Sequence, residues 1–321
     1  MEAVKEISIS QNLGVHVITL QSWISMYMKT DSEKIEEEIY KFANSNHFAI
    51  KAKPFIKWVG GKSKFLKEYQ IYYPPKSFNP LKNTYYEPFV GGGAIFFSLQ
   101  PRHAVLSDTN EELITTYKVI KRKVKELIQS LKKYKNTKSY FLKVRATDPK
   151  TLTDVEVASR FIYLNRACFK GVYRVNTKGG FNVPYGYNKN PKICDEENLK
   201  NVSKVLKHVK LRSSSYEKVI EKAKKGDFIY FDPPYYPASK TSNFTHYTKN
   251  RFNEKEQINL FNLFKGLDQR GCFVMLSNSD TEFVRNLYKG FNIKRVHTRR
   301  IINSKMAGRG EVSELVIRNY K

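Results

Sequence analysis

The residue types that most directly suggest chemistry are Asp232-Pro233-Pro234-Tyr235, which close the apolar run Phe228-Ile229-Tyr230-Phe231. An exocyclic amine on a nucleobase is a poor nucleophile because its lone pair is delocalised into the ring. A catalyst for its alkylation must hold both N–H groups and draw the nitrogen toward tetrahedral geometry. Asp232 and a carbonyl of the rigid Pro-Pro turn are suited to accept those two hydrogen bonds, and Tyr235 to stack on the base. A strand-end Asp that merely opens a turn, with Tyr235 as packing, reads the same locally, so other motifs must decide between the two.

An element has to deliver these residues. Apolar β-forming residues halted by a carboxylate and two prolines read as a buried strand that carries Asp232 to its C-terminal edge. In open α/β sheets that edge is where ligands bind. Two glycine turns precede it in the chain. In Pro54-Phe55-Ile56-Lys57-Trp58-Val59-Gly60-Gly61-Lys62, glycine permits close backbone approach to a ligand, and Lys62 follows as a clamp for a carboxylate or phosphate. Tyr85-Tyr86-Glu87-Pro88-Phe89-Val90-Gly91-Gly92-Gly93 reads as a strand running into a glycine turn, with a helical segment from Ala94 to Leu99. The spacing departs from G-x-G-x-x-G and no Lys-Ser/Thr follows, which disfavours a P-loop NTPase. Strand, glycine turn and helix still form the first unit of a nucleoside-binding doubly wound sheet. The next strand, Ala104 to Ser107, ends at Asp108, 17 residues beyond Gly91. A carboxylate there can accept from ribose hydroxyls, or cap the helix expected from Glu111 to Lys125.

Taken in order, Phe55 to Lys62, Glu87 to Gly93, Asp108 with Asn110, and Asp232 to Tyr235 resemble the Dam-type (class alpha, D12 family) DNA adenine-N6 methyltransferases. The resemblance runs from about residue 53 to the end and includes Ser277-Asn278-Ser279-Asp280 and Glu314 to Tyr320. It implies an α/β fold: a Rossmann-like doubly wound methyltransferase sheet with an inserted helical and β-hairpin DNA-recognition domain. It also implies S-adenosyl-L-methionine as cofactor, surrounded by Trp58, Gly60, Lys62, Phe89, Gly91, Gly93, Asp108 and Asp227. Catalysis would fall to Asp232, Pro233, Pro234 and Tyr235, acting on an adenine flipped from double-stranded DNA, with no metal.

Between the halves, Asn165 to Asn176 and Lys178 to Gly186 read as two β-like arms joined by Gly179-Gly180, a ribbon that fits a major groove. Arg174 is placed for bidentate contact with guanine, and Val172 and Pro184 for a thymine methyl. The resemblance assigns these three to reading GATC, adds Lys57 for a guanine, and offers Phe169 to fill the gap left by the flipped base. Lys170 stands where some GATC-reading members carry Asn, and Tyr187-Asn188 replace a basic-aromatic pair.

The expected organisation is an N-terminal helical extension over 1–50, a catalytic domain from 51–135 and 205–321, and a recognition domain over 136–204. Ile9 to Val15 and Ile18 to Ile24 read as short helices around Gly14, either a helix-turn-helix offering Thr19, Gln21 and Ser22 to DNA or an ordinary helical hairpin. Pro237 to Phe252 reads as a loop that closes over the flipped base, and Arg299-Arg300 with Lys305 to Arg309 as a basic loop for phosphate. Beyond the catalytic strand, helical and strand-like segments alternate to the C-terminus.

Lys and Arg number 57 against 30 Asp and Glu, a net charge of +27 that asks for a polyanionic partner, here double-stranded DNA. Cys168, Cys194 and Cys272 are odd in number and lack C-x-x-C spacing, which argues against a disulfide framework or a zinc site. No apolar run approaches the roughly 18 residues of a membrane span and no signal-peptide pattern opens the chain. The expectation is a cytoplasmic, membrane-free enzyme of prokaryotic or phage origin, with a cognate restriction endonuclease as a further partner. Two other readings stay open: a cytosine-N4 methyltransferase, where Ser is commoner at the place of Asp232, and a DNA-binding regulator working through the N-terminal helices.

Overall fold

The computed structural model describes residues 50–75, 77–80, 82–177, 179–237, 252–299 and 311–321, with the backbone alone at Lys64, Thr298, Arg299, Glu311 and Val312. The N-terminal helices, the loop expected between Pro237 and Phe252, and the basic loop from Arg300 to Arg309 lie outside the described residues. Lys53–Lys321 form one compact unit, and residues up to Ala52 belong to another.

The core of the larger unit is a seven-stranded sheet. Its strands are β1 (Tyr85–Glu87), β2 (Ala104–Asp108), β3 (Lys210–Ser213), β4 (Phe228–Phe231), β5 (Phe273–Ser279), β6 (Asn292–Arg299) and β7 (Glu311–Arg318), in the order β3-β2-β1-β4-β5-β7-β6. The first five are parallel, whereas β7 runs antiparallel between β5 and β6. This is a mostly parallel, Rossmann-like sheet. β1 and β4 are buried throughout, which explains the unbroken apolar and aromatic run of β4 and the paired tyrosines that lead β1 to Glu87: a central parallel strand has no solvent face on which to alternate. β1 stops at Glu87, short of the glycine turn, because Pro88 has no N–H to continue the ladder.

The described helices are α1 (Leu66–Gln70), α2 (Ala94–Leu99), α3 (Glu111–Leu131), α4 (Lys138–Ala146), α5 (Asp154–Ala167), α6 (Glu196–Val205), α7 (Tyr216–Ile220), α8 (Glu254–Gln269) and α9 (Glu282–Leu287). α3 begins at an Asn110 cap whose side chain accepts from the Leu113 amide, so Asp108 is left for another task. α8 presents Gln257, Leu260, Phe264 and Leu267 as its buried stripe. One face of the sheet is filled by a cluster that includes Tyr86, Ile229, Phe231, Leu260, Phe264, Val274 and Leu276.

A second apolar cluster gathers Phe141, Tyr163, Leu164, Ala167, Cys168, Phe181 and Val183 beneath the segment expected to read DNA. α5 opens with a capping box in which Thr153 and Glu156 satisfy each other's amides, and it packs along α3. Buried Arg160 joins the two: it donates to Glu112 at 2.9 Å and to the carbonyls of Val144 and Arg145 at the end of α4.

The expected hairpin is corrected in one respect. Asn165 to Ala167 are the last turn of α5 rather than strand, and a 3-10 turn follows at Phe169–Gly171. A helix with a strong N-terminal cap and an apolar face against α3 continues until the extended backbone of Cys168 ends it. Among the described residues the two arms meet through isolated bridges rather than a continuous ladder, Cys168 with Tyr185 and Val175 with Phe181, and through the Asn176 and Asn182 amides donating across the turn.

Candidate active site

Chain connections leave β1 toward β2 on one side, while its other neighbour is β4 from the second half of the chain. That reversal opens a crevice at the C-terminal ends of the two strands. Glu87-Pro88-Phe89 line one side of it and Asp232 the other.

Lys62 donates to both Asp232 oxygens, at 2.8 and 2.9 Å, and to the Gly60 carbonyl at 2.8 Å. The lysine is 2% exposed and the aspartate 19%. Burial alone lowers the Lys62 pKa, but the charges of Asp232 and Glu314 outweigh it and leave the pKa raised, so the group stays a cation. Ser277 of β5 donates to the same Asp232 Oδ1 at 2.8 Å and is itself 2.9 Å from the Tyr230 hydroxyl. The Tyr235 ring lies 4.9 Å under the Lys62 ammonium. Its hydroxyl donates to Glu314 of β7 at 3.0 Å, and Tyr69 donates to the same Glu314 oxygen at 2.9 Å. Burial and the Glu314 charge hold the Tyr235 hydroxyl well above its ordinary pKa, so it remains a donor.

The Pro-Pro turn is pinned from outside. Gln257 donates to the Pro234 carbonyl at 3.0 Å and accepts from Asn278 at 2.9 Å, and Asn278 accepts from the Tyr236 amide at 3.1 Å. Both Gln257 and Asn278 are fully buried. The Pro233 carbonyl receives no hydrogen bond among the described residues. Behind the crevice, Glu87 is 2% exposed and accepts from the Tyr85 hydroxyl at 2.7 Å. Burial pushes its pKa up to about 8.

The glycine turn sits beside this group. Gly91 takes a positive φ of 45°, and a Cβ there meets the Trp58 indole at 2.5 Å; Gly93, at φ 68°, meets the Tyr117 hydroxyl at 2.7 Å. No other residue fits either position. Asp108 accepts from the Gly91 amide at 3.1 Å and from the Asn110 amide at 3.0 Å, and burial raises its pKa. Phe89 packs against Tyr216 at 5.2 Å and Phe252 at 5.9 Å between ring centroids. An aromatic cradle, a carboxylate beside backbone amides, and a buried ammonium together suit a ligand that carries a base, a diol and a carboxylate.

Asp227 stands apart from the other residues expected around a cofactor. It precedes β4 at the opposite edge of the sheet from Asp232, and its carboxylate accepts from the amides of Thr84 at 2.8 Å and Lys224 at 3.0 Å. It closes the turn into the strand, the common role of Asp after Gly.

Lys57 is brought to the recognition segment by Asn165, which accepts from the Lys57 amide at 2.8 Å and donates to the carbonyls of Lys57 at 2.8 Å and Gly171 at 3.0 Å. The Lys57 stem lies so close to Gly171 that any Cβ there clashes at 2.4 Å. Phe169 is 49% exposed, with the Lys170 ammonium 5.1 Å over its ring. Arg174 and Pro184 are exposed and Val172 is half-buried; Arg174 donates to Asn182 at 2.8 Å across the turn.

The second ring of the site, Ser277, Gln257, Glu314, Tyr69 and Asn165, was not given a role from sequence. A signal existed for Gln257: it is the polar member of an otherwise apolar helical stripe. Nothing local marks Tyr69 or Glu314, which meet across 245 residues of chain. Among the described residues, no cluster of His, Cys, Asp or Glu is placed to hold a metal, and no helix is long and apolar enough to cross a membrane.

Residues 58–302 match the family described as D12 class N6 adenine-specific DNA methyltransferase. The Type II methyltransferase M1.LlaDCHI of Lactococcus lactis subsp. cremoris is 43% identical over 279 residues, which cover 84% of this chain and 96% of that protein. The Type II methyltransferase M.MjaIII of Methanocaldococcus jannaschii is 45% identical over 289 residues, 84% of this chain and 100% of its own. The DNA adenine methylase of Escherichia coli K12 is 32% identical over 270 residues, 83% of this chain and 95% of its own. With a parallel sheet whose switch point carries Asp232, and with likeness of this extent, the chain belongs to the D12 class of N6 adenine-specific DNA methyltransferases.

Proposed function

We propose that this DNA adenine methyltransferase acts on an adenine flipped out of duplex DNA, within GATC, using S-adenosyl-L-methionine. The observation that carries the reading is Asp232, fixed at the mouth of the β1–β4 crevice between Lys62 and Ser277, with the Tyr235 ring beside it and a Pro233 carbonyl that no described residue engages. S-adenosylmethionine, when bound, supplies an electrophilic sulfonium methyl. Phe89 and Tyr216 would enclose its adenine, Asp108 would accept from its ribose, and Lys62 would meet its carboxylate, with Trp58, Gly60, Gly91 and Gly93 shaping the floor.

In the structure, Lys62 occupies both Asp232 oxygens. A ligand carboxylate gives the ammonium an anionic partner beyond Asp232 and Glu314, which frees an Asp232 oxygen to accept an adenine N–H. Asp232 and the Pro233 carbonyl would then hold the two protons of the amino group, with Tyr235 stacked on the ring; Asp232 would take the proton the nitrogen sheds as its bond to the methyl carbon forms and that carbon's bond to sulfur breaks, a neutral thioether leaving. Positioning supplies the acceleration.

Arg174, Val172, Pro184 and Lys57 are the proposed readers of the site, and Phe169 the wedge. The relatives named Type II methyltransferases stand at 43% and 45% identity against 32% for the E. coli adenine methylase, which favours a role beside a restriction endonuclease.

Asp232→Ala is the direct test. Methylation should fall by roughly a hundredfold or more while duplex binding persists, since the carboxylate acts on the amine and not on the DNA backbone. Retained turnover in the variant removes the mechanism.

A further inference from the structure

At the edge of the sheet opposite the crevice, where β1, β2 and β3 begin, the structure has a notch of about 160 Å³. Its floor is apolar and aromatic: Tyr86, Val105 and, from α7, Val219. Its rim carries His103, His208, Lys210, Arg212 and Lys222, and its lining holds no carboxylate. Lys210 and Arg212 are neighbours on the same face of β3, an edge strand that among the described residues pairs with β2 alone. Lys222 reaches in from the turn after α7, and the two histidines come from the residues just before β2 and β3.

Such a rim is electrostatically unbalanced. Burial and then Lys207, Arg102, His103 and Lys121 hold the His208 pKa below its ordinary value, the effect expected where cations crowd one another. The Tyr86 hydroxyl lies at the floor; burial and then the Asp227 charge push its pKa up to about 12, with the Arg212 charge acting the other way. Cations from three separate chain segments therefore converge on a concave site that can admit a compact anion, and an anion seated there relieves the repulsion at each of them. The notch lies about 13 Å along β2 from Asp108, so it is not part of the crevice in which methyl transfer is proposed.

We infer that this notch is a second anion site, specific for a phosphate group, framed by Lys210, Arg212 and Lys222. The phosphate has two sources, a free phosphate or phosphate monoester and the backbone of a second stretch of DNA, and both present the same oxygens. Neither depends on the proposed base flipping or on GATC.

The full-length protein with ring-labelled histidine, followed by NMR across pH, reads the site directly; His208→Gln assigns the resonance. Addition of inorganic phosphate should raise the His208 titration midpoint saturably, because a bound anion favours the imidazolium. Lys210→Gln with Arg212→Gln should weaken that response by about tenfold or more, and Lys222→Gln by less, while methylation of a saturating duplex is unchanged. If a short duplex lacking GATC produces the shift and inorganic phosphate does not, the source is the DNA backbone; if both do, a free phosphate suffices. The inference is overturned if neither probe moves His208, or if the folded double variant responds as the parent does.

Discussion

Asp232 is given its task by its neighbours rather than by its own chemistry. A lone carboxylate at a strand end can open a turn, cap a helix or take part in catalysis. Lys62 and Ser277 hold it at 2.8 Å each, next to a proline carbonyl with no donor of its own among the described residues. Glu87 shows the cost of burying an acid behind the site, with the Asp232 charge adding to it. Its folded pKa of about 8 lies above the ordinary 4.5, so the native state holds a proton that the unfolded chain has released. The stability associated with that proton is fully present below about 4.5 and is lost as pH rises through about 8. Glu87→Gln keeps an acceptor for the Tyr85 hydroxyl and cannot ionise. Thermal melts from pH 5 to pH 8.5 should therefore fall less steeply for the variant than for the parent; parallel curves would show that Glu87 is not the titrating group.

At the scale of elements, what the sequence made legible was whatever had a short-range cause. β4 was readable to the residue because apolar side chains run unbroken into Asp232 and two prolines. The glycine turn was readable because its left-handed backbone excludes other residues: Gly91→Ala must displace the Trp58 indole and adopt φ 45°, and should destabilise the fold by about 1–3 kcal/mol in denaturant titrations. The first arm of the recognition segment was misread because α5 runs through Asn165 to Ala167 under its capping box and its packing on α3, neither visible in the arm itself. Asp227 was placed by family likeness at the cofactor, and the direction of β4 puts it at the far edge. Hardest to see were the partners joined only by the finished sheet. Gln257 on α8 holds the Pro234 carbonyl, and Gln257→Ala leaves that carbonyl without its donor. The change should remove about 1–3 kcal/mol of stability and lower kcat more than it raises KM for DNA, because the turn that presents Asp232 loosens. An unchanged kcat in a stable variant would mean the turn needs no such support.

For the molecule as a whole, charge, sheet and site point to the same kind of chemistry. A net charge of +27 supplies attraction to a polyanion without specificity, and the parallel sheet supplies the crevice. Asn165 ties Lys57 to the Gly171 turn next to Phe169 through a single side chain. Sequence legibility at this scale was high for the fold, because strand, glycine turn and helix recur in the order a doubly wound sheet requires, and lower for DNA reading, which depends on exposed side chains that no packing rule fixes. The measurement that bears most directly on the whole account is base-resolved detection of N6-methyladenine in plasmid DNA incubated with the purified protein and S-adenosylmethionine. The expected result is methylation confined to the adenine of GATC and absent with Asp232→Ala. Methylation at another motif would keep the chemistry of Asp232 and discard the roles of Arg174, Val172 and Pro184; no methyladenine from folded, DNA-bound protein would contradict the account.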